Sequence, residues 1–239
     1  MRRQFPDQQT GWIRDVFEGL DEATLNSLKN SGTPRSLAEG ERLTDVNNAV
    51  VRVESGLVRL SVTADDRSLT IALFGPGDTI CAPLFHEWDN ELYYLEAQEA
   101  SEVTVIPQDS VLQACSGNVD LSRRVMRQLS WATWQLMHSI HMLAFYNLPQ
   151  RVAQVLVNLA ASFGVRNRKG GISVGLRFTQ QELAEMAGAR RETLSTVLQE
   201  FREDDVLDLR YARIEIKDFE ALKRIAGTEP LPFLSPREL

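Results

Sequence analysis

Between Phe178 and Arg202 the chain carries start, stop and face signals that one local shape satisfies together: two short helices joined by a tight turn. Thr179 stands three residues before Glu182, the spacing at which a hydroxyl and a carboxylate reciprocally satisfy the free amides of a helix's first turn, so a helix is expected from Gln180. Leu183, Ala184, Met186 and Ala187 supply its apolar face. Gly188 then falls where the chain must reverse with a positive backbone φ, a conformation cheap only for glycine. Beyond the turn Leu194, Val197, Leu198 and Phe201 repeat at helical spacing, while Arg190, Arg191, Glu192, Ser195, Thr196 and Gln199 occupy the other side.

A helix-turn-helix of this kind lays its second helix in the DNA major groove, with the residues near that helix's N-terminus reaching base edges. Arg191 and Glu192 stand there. An arginine bonds guanine O6 and N7 together, a glutamate accepts from cytosine N4, and serine or threonine contacts bases or phosphates, so the set suits a half-site containing G·C. The candidate contacts are Thr179, Gln180 and Gln181 at the start of the first helix and Arg190, Arg191, Glu192, Ser195 and Thr196 on the second. An ordinary helical hairpin would share the Ala-rich helix and the glycine, but not a cap and a polar N-terminal face in one register.

The run from Thr179 through Ala184, with Gly188 and Arg191-Glu192-Thr193, resembles the winged-helix operator-binding domain of the cyclic-AMP receptor protein/FNR family of bacterial transcription regulators. The resemblance extends from about Val16 to Ala226. It implies an α+β chain: an N-terminal antiparallel β-roll of the cupin-like, cyclic-nucleotide-binding-domain-like kind, a long dimerisation helix and a C-terminal winged helix-turn-helix. It also implies a homodimer on a two-fold double-stranded operator, an RNA polymerase contact if the protein activates, and a base-reading role for Arg191 and Glu192. Thr196 departs from the second base-reading arginine of several members, so the half-site is not theirs to lend.

A net charge of -7 opposes a nucleic-acid partner, but it is unevenly placed. Arg151 to Ala226 holds 13 Lys plus Arg against 11 Asp plus Glu, a net of +2, and the acidic excess lies in the remainder. With 43% apolar residues the chain can fill real cores. No run of about 20 apolar residues is present to span a bilayer and no apolar signal segment follows Met1, so a cytoplasmic location is expected. Cys81 and Cys115 are too few for a disulfide framework or an iron–sulfur site.

Taken in order, Asp21 caps a short helix that ends before Gly32. From Arg35 to Pro107 brief apolar runs (Val50 to Val53, Leu57 to Val62, Leu69 to Phe74, Glu102 to Ile106) alternate with turn signals such as Ser55-Gly56 and Gly75-Pro76-Gly77-Asp78, the pattern of an antiparallel roll. In the family's cyclic-nucleotide sensors the stretch after the Gly-Pro-Gly turn carries a Gly-Glu pair and an Arg-Ser pair. This chain instead reads Thr79-Ile80-Cys81-Ala82-Pro83-Leu84-Phe85, with no Arg or Lys between Arg67 and Arg123, so a cyclic phosphate lacks its cation there. Cys81 and His86 are the residue types of an iron or haem site, or else a buried small hydrophobe and a surface imidazole; Cys81 and Cys115 could also pair. Trp88, Tyr93 and Tyr94 are expected at core and rim rather than around a ligand.

Asp120 to Tyr146 is the longest helical pattern, free of Gly and Pro. Val125, Leu129, Ala132, Leu136, Ser139 and Leu143 alternate by four and three, which predicts the dimer seam, and Trp131, Trp134, His138 and His141 form a second stripe to cover the roll. No carboxylate or thiolate completes a metal site around the histidines, and no metal, cofactor or catalytic residue is assigned. Pro149 opens the next helix, making Ala144 to Pro149 a hinge candidate. Arg166, Arg168 and Lys169 form a basic loop, and Val206 to Arg210 with Arg213 to Ile216 form a hairpin wing on which Arg213 is placed to reach phosphate. The expected segments are thus 1–118, 119–147, 148–226 and a tail 227–239. Three readings follow: an effector-responsive DNA-binding regulator (with haem or redox sensing as variants), a constitutive regulator whose roll is empty, and a cupin-type enzyme fused to a DNA-binding module, for which the roll offers only His86 as an imidazole ligand.

Overall fold

A computed structural model describes residues 15–44, 46–81, 92–167, 170–210 and 213–227. His86, Trp88, Arg168, Lys169, the Tyr211-Ala212 turn and the tail after Gly227 lie outside the described residues. Two compact units are present, one of Gly11–Asp66 with Ile71–His138, the other including Ser139–Leu239. The division falls inside a single long helix rather than at either of its ends.

The first unit begins with α1 (Glu22–Ser31), whose start Asp21 fixes by accepting from the Thr24 amide at 2.9 Å. Among the described residues eight strands follow: β1 (Thr33–Leu37), β2 (Arg42–Leu43), β3 (Ala49–Ser55), β4 (Val58–Ala64), β5 (Arg67–Phe74), β6 (Thr79–Ile80), β7 (Tyr93–Ala97) and β8 (Ser101–Pro107). They make two four-stranded sheets of order β1-β8-β3-β6 and β2-β7-β4-β5. Each strand has two faces, and β3 shows why its sequence is almost continuously apolar: Val51 and Val53 enter the core between the sheets, with Val58, Phe74, Leu95 and Val103, while Val50 points out to a second core. Gly56, at φ +83°, makes the β3–β4 turn where a Cβ would stand 2.2 Å from Ser101 Oγ.

That second core is where the helices are held. Leu28 of α1, Val111 of α2 (Gln108–Gly117), and Leu121 and Val125 of α3 (Val119–Phe145) close over Val50 and Ile106, together with Val16, Phe17 and Cys81. A polar tie lies beside it. Gln128 Nε2 donates to the carbonyl and the hydroxyl of the wholly buried Thr79, and the same hydroxyl accepts from the Val16 amide at 3.2 Å. The rotation of α3 about its axis is thereby fixed, and it differs from the sequence expectation by about one residue. Val125, expected in a dimer seam, is 5% exposed and serves its own core. Trp134, expected to cover the roll, is 47% exposed and stacks with His138. The physical reason is that Gln128, a polar residue, belongs to the buried face.

The second unit holds the end of α3, then α4 (Leu148–Phe163), β9 (Gly164–Arg166), β10 (Ile172–Arg177), α5 (Gln180–Ala187), α6 (Arg191–Glu203), β11 (Leu207–Arg210), β12 (Arg213–Ile216) and α7 (Phe219–Ala226). Helix α4 is self-started: Asn147 and Gln150 form a reciprocal capping box with Pro149 in the first turn, so only Tyr146 and Asn147 separate it from α3. It is buried from Val152 to Phe163 and carries the packing of α5, α6 and α7. The remaining strands form one sheet of order β11-β12-β10-β9. Among the described residues no helix is long and apolar enough to cross a membrane.

Both cysteines are free thiols of one cluster, Cys81 buried and Cys115 half-buried. Burial pushes the Cys81 thiol well up from its ordinary 9.0, so the folded state holds it protonated. The neutral thiol contributes stability below that ordinary value and loses it as pH rises beyond. Alkylation at pH 8 is therefore expected to modify Cys115 first and Cys81 only at the rate of unfolding; peptide mass mapping with and without denaturant checks it.

Candidate nucleic-acid interface

Helix α5 starts on the cap that its sequence encodes. Thr179 Oγ1 accepts from the Glu182 amide at 3.2 Å, and Glu182 Oε2 accepts from the Thr179 amide at 2.6 Å. The helix ends at Gly188, with φ +60° and ψ +45°, whose amide donates to the Ala184 carbonyl. The positive φ is what favours glycine here; a Cβ would stand 2.6 Å from Leu143 Cδ2, so the end of that side chain would have to shift. Leu183, Ala184, Met186 and Ala187 are buried on one side, and Leu194, Val197, Leu198 and Phe201 of α6 on the other, which locks the two helices by their apolar faces.

What this packing leaves outside is polar. Arg190, Arg191, Glu192, Thr196 and Gln199 are exposed along α6, Ser195 is half-exposed, and no side chain caps the helix at Arg190. Thr179 and Gln181 are exposed and Gln180 half-exposed at the start of α5, where free amides favour an anion. Gln181 also donates to Glu185, and Gln199 to Glu203, so these amides are partly committed within their own helices. The nine residues expected to contact DNA from their sequence positions all lie in this unit, eight on the two helices and their caps and Arg213 on the hairpin.

One residue that the sequence reading passed over joins them. Arg177 ends β10 and is the direct cross-strand partner of Arg213, which in turn pairs with Arg210 of β11. Arg177 and Arg213 are both exposed and, among the described residues, neither makes an ion pair. Like charges directly opposite one another destabilise a sheet unless an anion lies between them. They line a groove of about 690 Å³ together with Ser173, Val174, Ile214 and the carboxylates Asp208 and Glu215. Ile172, Val174 and Leu176 are buried and alternate with Ser173, Gly175 and Arg177, and the register that sets Arg177 beside Arg213 exists only in the folded sheet.

The expected dimer seam is divided differently. Leu136 and Leu143 are 45% and 42% exposed, Leu129, Ala132 and Ser139 are half-buried, and Val125 is in the core. The row that α3 presents outward is instead Val119, Met126, Ser130, Thr133, Met137, Ile140 and Ala144, spaced by four and three from Met126 onward. Near the helix end His141 faces Phe145 and Tyr146, with ring centroids 5.1 and 5.5 Å away.

Residues 150–225 match the Crp-like helix-turn-helix domain family. Over 220 residues the chain is 25% identical to the CRP-like cAMP-activated global transcriptional regulator of Mycobacterium tuberculosis, covering 88% of this chain and 96% of that protein. It is 28% identical over 177 residues to the transcriptional regulator SdrP of Thermus thermophilus, covering 73% and 82%. In fold it matches a CooA mutant from Carboxydothermus hydrogenoformans with a TM-score of 0.73 at 21% identity, over 93% of this chain and 98% of that one. Residues 150–225 thus belong to the Crp-like helix-turn-helix domain family, and the whole chain, with its roll of two antiparallel sheets, long helix and capped helix-turn-helix beside a hairpin, is similar to the CRP/FNR transcription regulators.

Proposed function

We propose that the protein acts as a homodimer on a two-fold operator, reading each half-site with the first turn of α6. The observation that carries this is the division of that helix: four apolar side chains wholly inside, and Arg191 and Glu192 exposed together on its first turn. Arg191 supplies the fork for guanine O6 and N7, and Glu192 accepts from a cytosine N4. Arg190, Ser195 and Thr196 flank them. Thr179, Gln180 and Gln181 offer the start of α5 to the backbone, and Arg213 with Arg177 holds a phosphate at the hairpin. The second copy sets the spacing, since a two-fold pair presents both recognition helices to one face of the duplex.

The partner helix is taken along Met126, Ser130, Thr133, Met137, Ile140 and Ala144. Small side chains at Ser130, Thr133 and Ala144 permit close approach, and Met137 and Ile140, 64% and 66% exposed in the single chain, supply apolar area. At roughly 25 cal/mol per Å² such side chains strongly favour being covered. If the protein activates transcription, RNA polymerase is a further partner; the expected compartment is the cytoplasm.

As to effector, relatives are named as cAMP-activated, but the chemistry here points away from a cyclic nucleotide in the roll. No Arg or Lys lies between Arg67 and Arg123, and Ala72, Phe74, Ile80 and Leu95 fill the core between the sheets. A cyclic phosphate there would be buried without a counter-charge.

Four outcomes test these statements. Ile140→Glu should dissociate the dimer in sedimentation equilibrium while Leu136→Glu, one flank away, weakens it less; the reverse order would restore the seam through Leu136. In selection from a random duplex pool, Arg191→Ala should cost about 1 to 3 kcal/mol per half-site and relax one symmetric G·C pair. Arg177→Ala and Arg213→Ala should each leave preference intact and reduce the salt slope by about one per subunit. Cyclic AMP at millimolar concentration should change neither melting temperature nor operator affinity; a saturable calorimetric heat of one site per subunit would overturn the effector reading.

A further inference from the structure

Arg151, in the first turn of α4, is held among the described residues by main-chain carbonyls. Its Nη1 donates to the Tyr146 carbonyl at 3.0 Å, its Nε to the Ala187 carbonyl at 2.9 Å, and its Nη2 reaches the Gly188 carbonyl at 3.5 Å. No carboxylate shares the site, and burial alone shifts its pKa, downward. The three acceptors belong to two helix ends. Tyr146 directly follows α3, and Ala187 and Gly188 close α5. The last carbonyls of a helix have no partner within it and carry the negative end of its dipole, so a cation between two such ends is favoured at both. Beside it the apolar part of the same junction closes: Leu143, in the last turn of α3, lies against the Gly188 turn, its Cδ2 2.6 Å from where a Cβ at 188 would stand.

We propose that Arg151 is a positioning residue for DNA recognition: by joining the C-terminal ends of α3 and α5, it transmits the direction of the long helix to the turn that aims α6. This rests on the reading of α5, Gly188 and α6 as the DNA-contacting element. The guanidinium is suited to the task because its planar fork spans separate acceptors, whereas an ammonium is a point that must choose among them. Gly188, one of the residues it grips, lies three positions before Arg191, so freeing that turn loosens the aim of α6 without removing any group that touches DNA. The consequence falls on geometry between half-sites rather than on the identity of a base.

The test uses full-length wild type, Arg151→Lys and Arg151→Met. Each is titrated against the operator selected by wild type and against the same half-sites moved two base pairs further apart. Wild type should discriminate strongly between the two spacings. Both variants should keep the base preference and the salt slope while the ratio of affinities between spacings falls by about tenfold. In the free proteins, exchange of the Ala189 amide, which donates to the Ala184 carbonyl across the turn, should be faster in both variants. An unchanged spacing ratio in Arg151→Lys overturns the proposal and leaves Arg151 a stabilising residue, as does unchanged exchange at Ala189. A salt slope reduced by one per subunit overturns it in favour of a phosphate contact. A wild type that selects no sequence would remove the DNA-binding reading itself, and this proposal with it. If Arg151→Met does not fold, Arg151→Lys decides alone.

Discussion

The burial of Leu121, Val125 and Gln128 against the first unit sets the rotation of a 27-residue helix, and everything that helix offers elsewhere follows from that one choice. Each residue along α3 turns its face by about 100°, so committing one stripe inward leaves no freedom in which stripe faces out. Gln128 matters more to this than its polarity suggests. Two apolar side chains could slide along the surface of the roll, but an amide whose donor must meet the carbonyl and hydroxyl of buried Thr79 can do so in only one register. The polar tie specifies; the apolar contacts stabilise.

Along the chain, legibility tracked how local the determining signal was. The cap at Thr179, the turn at Gly188 and the faces of α5 and α6 are settled within about ten residues of themselves, and they are where sequence and structure agree in detail. The same holds for Asp21 and α1, and for the hairpin of β11 and β12. The faces of α3 were harder because its apolar residues occupy more than one side, so several rows with spacing of four and three can be drawn through it. Which row is buried depends on a strand some fifty positions earlier, at Thr79. β1 was missed for a related reason: four of its five residues are exposed, so it has no apolar alternation to display and exists by pairing with β8. α2, which follows Pro107 with no side-chain cap and buries only Val111, gives an equally faint signal.

Site residues divide in the same way. Those on α5 and α6 were found because a helix-turn-helix announces its outward face. Arg177 was not, since an arginine ending a strand is ordinary until the partner across from it is known to be another arginine. Arg151 shows in the sequence only as one basic residue among the 13 of its segment, and its partners are main-chain carbonyls that leave no mark in composition or spacing.

This last feature has a consequence for how the junction tolerates change. Every residue type offers a carbonyl, so Tyr146 and Ala187 can be replaced without removing an acceptor, whereas no other side chain reproduces the fork at Arg151. Mutational tolerance at the junction is therefore one-sided. The three gripped positions impose backbone shape, in the case of Gly188 strictly, and the gripping position imposes chemical identity. A library randomised across 146, 151, 187 and 188 would be narrow at 151 for its fork, at 188 for its backbone and at 187 for its buried methyl, and broadest at 146.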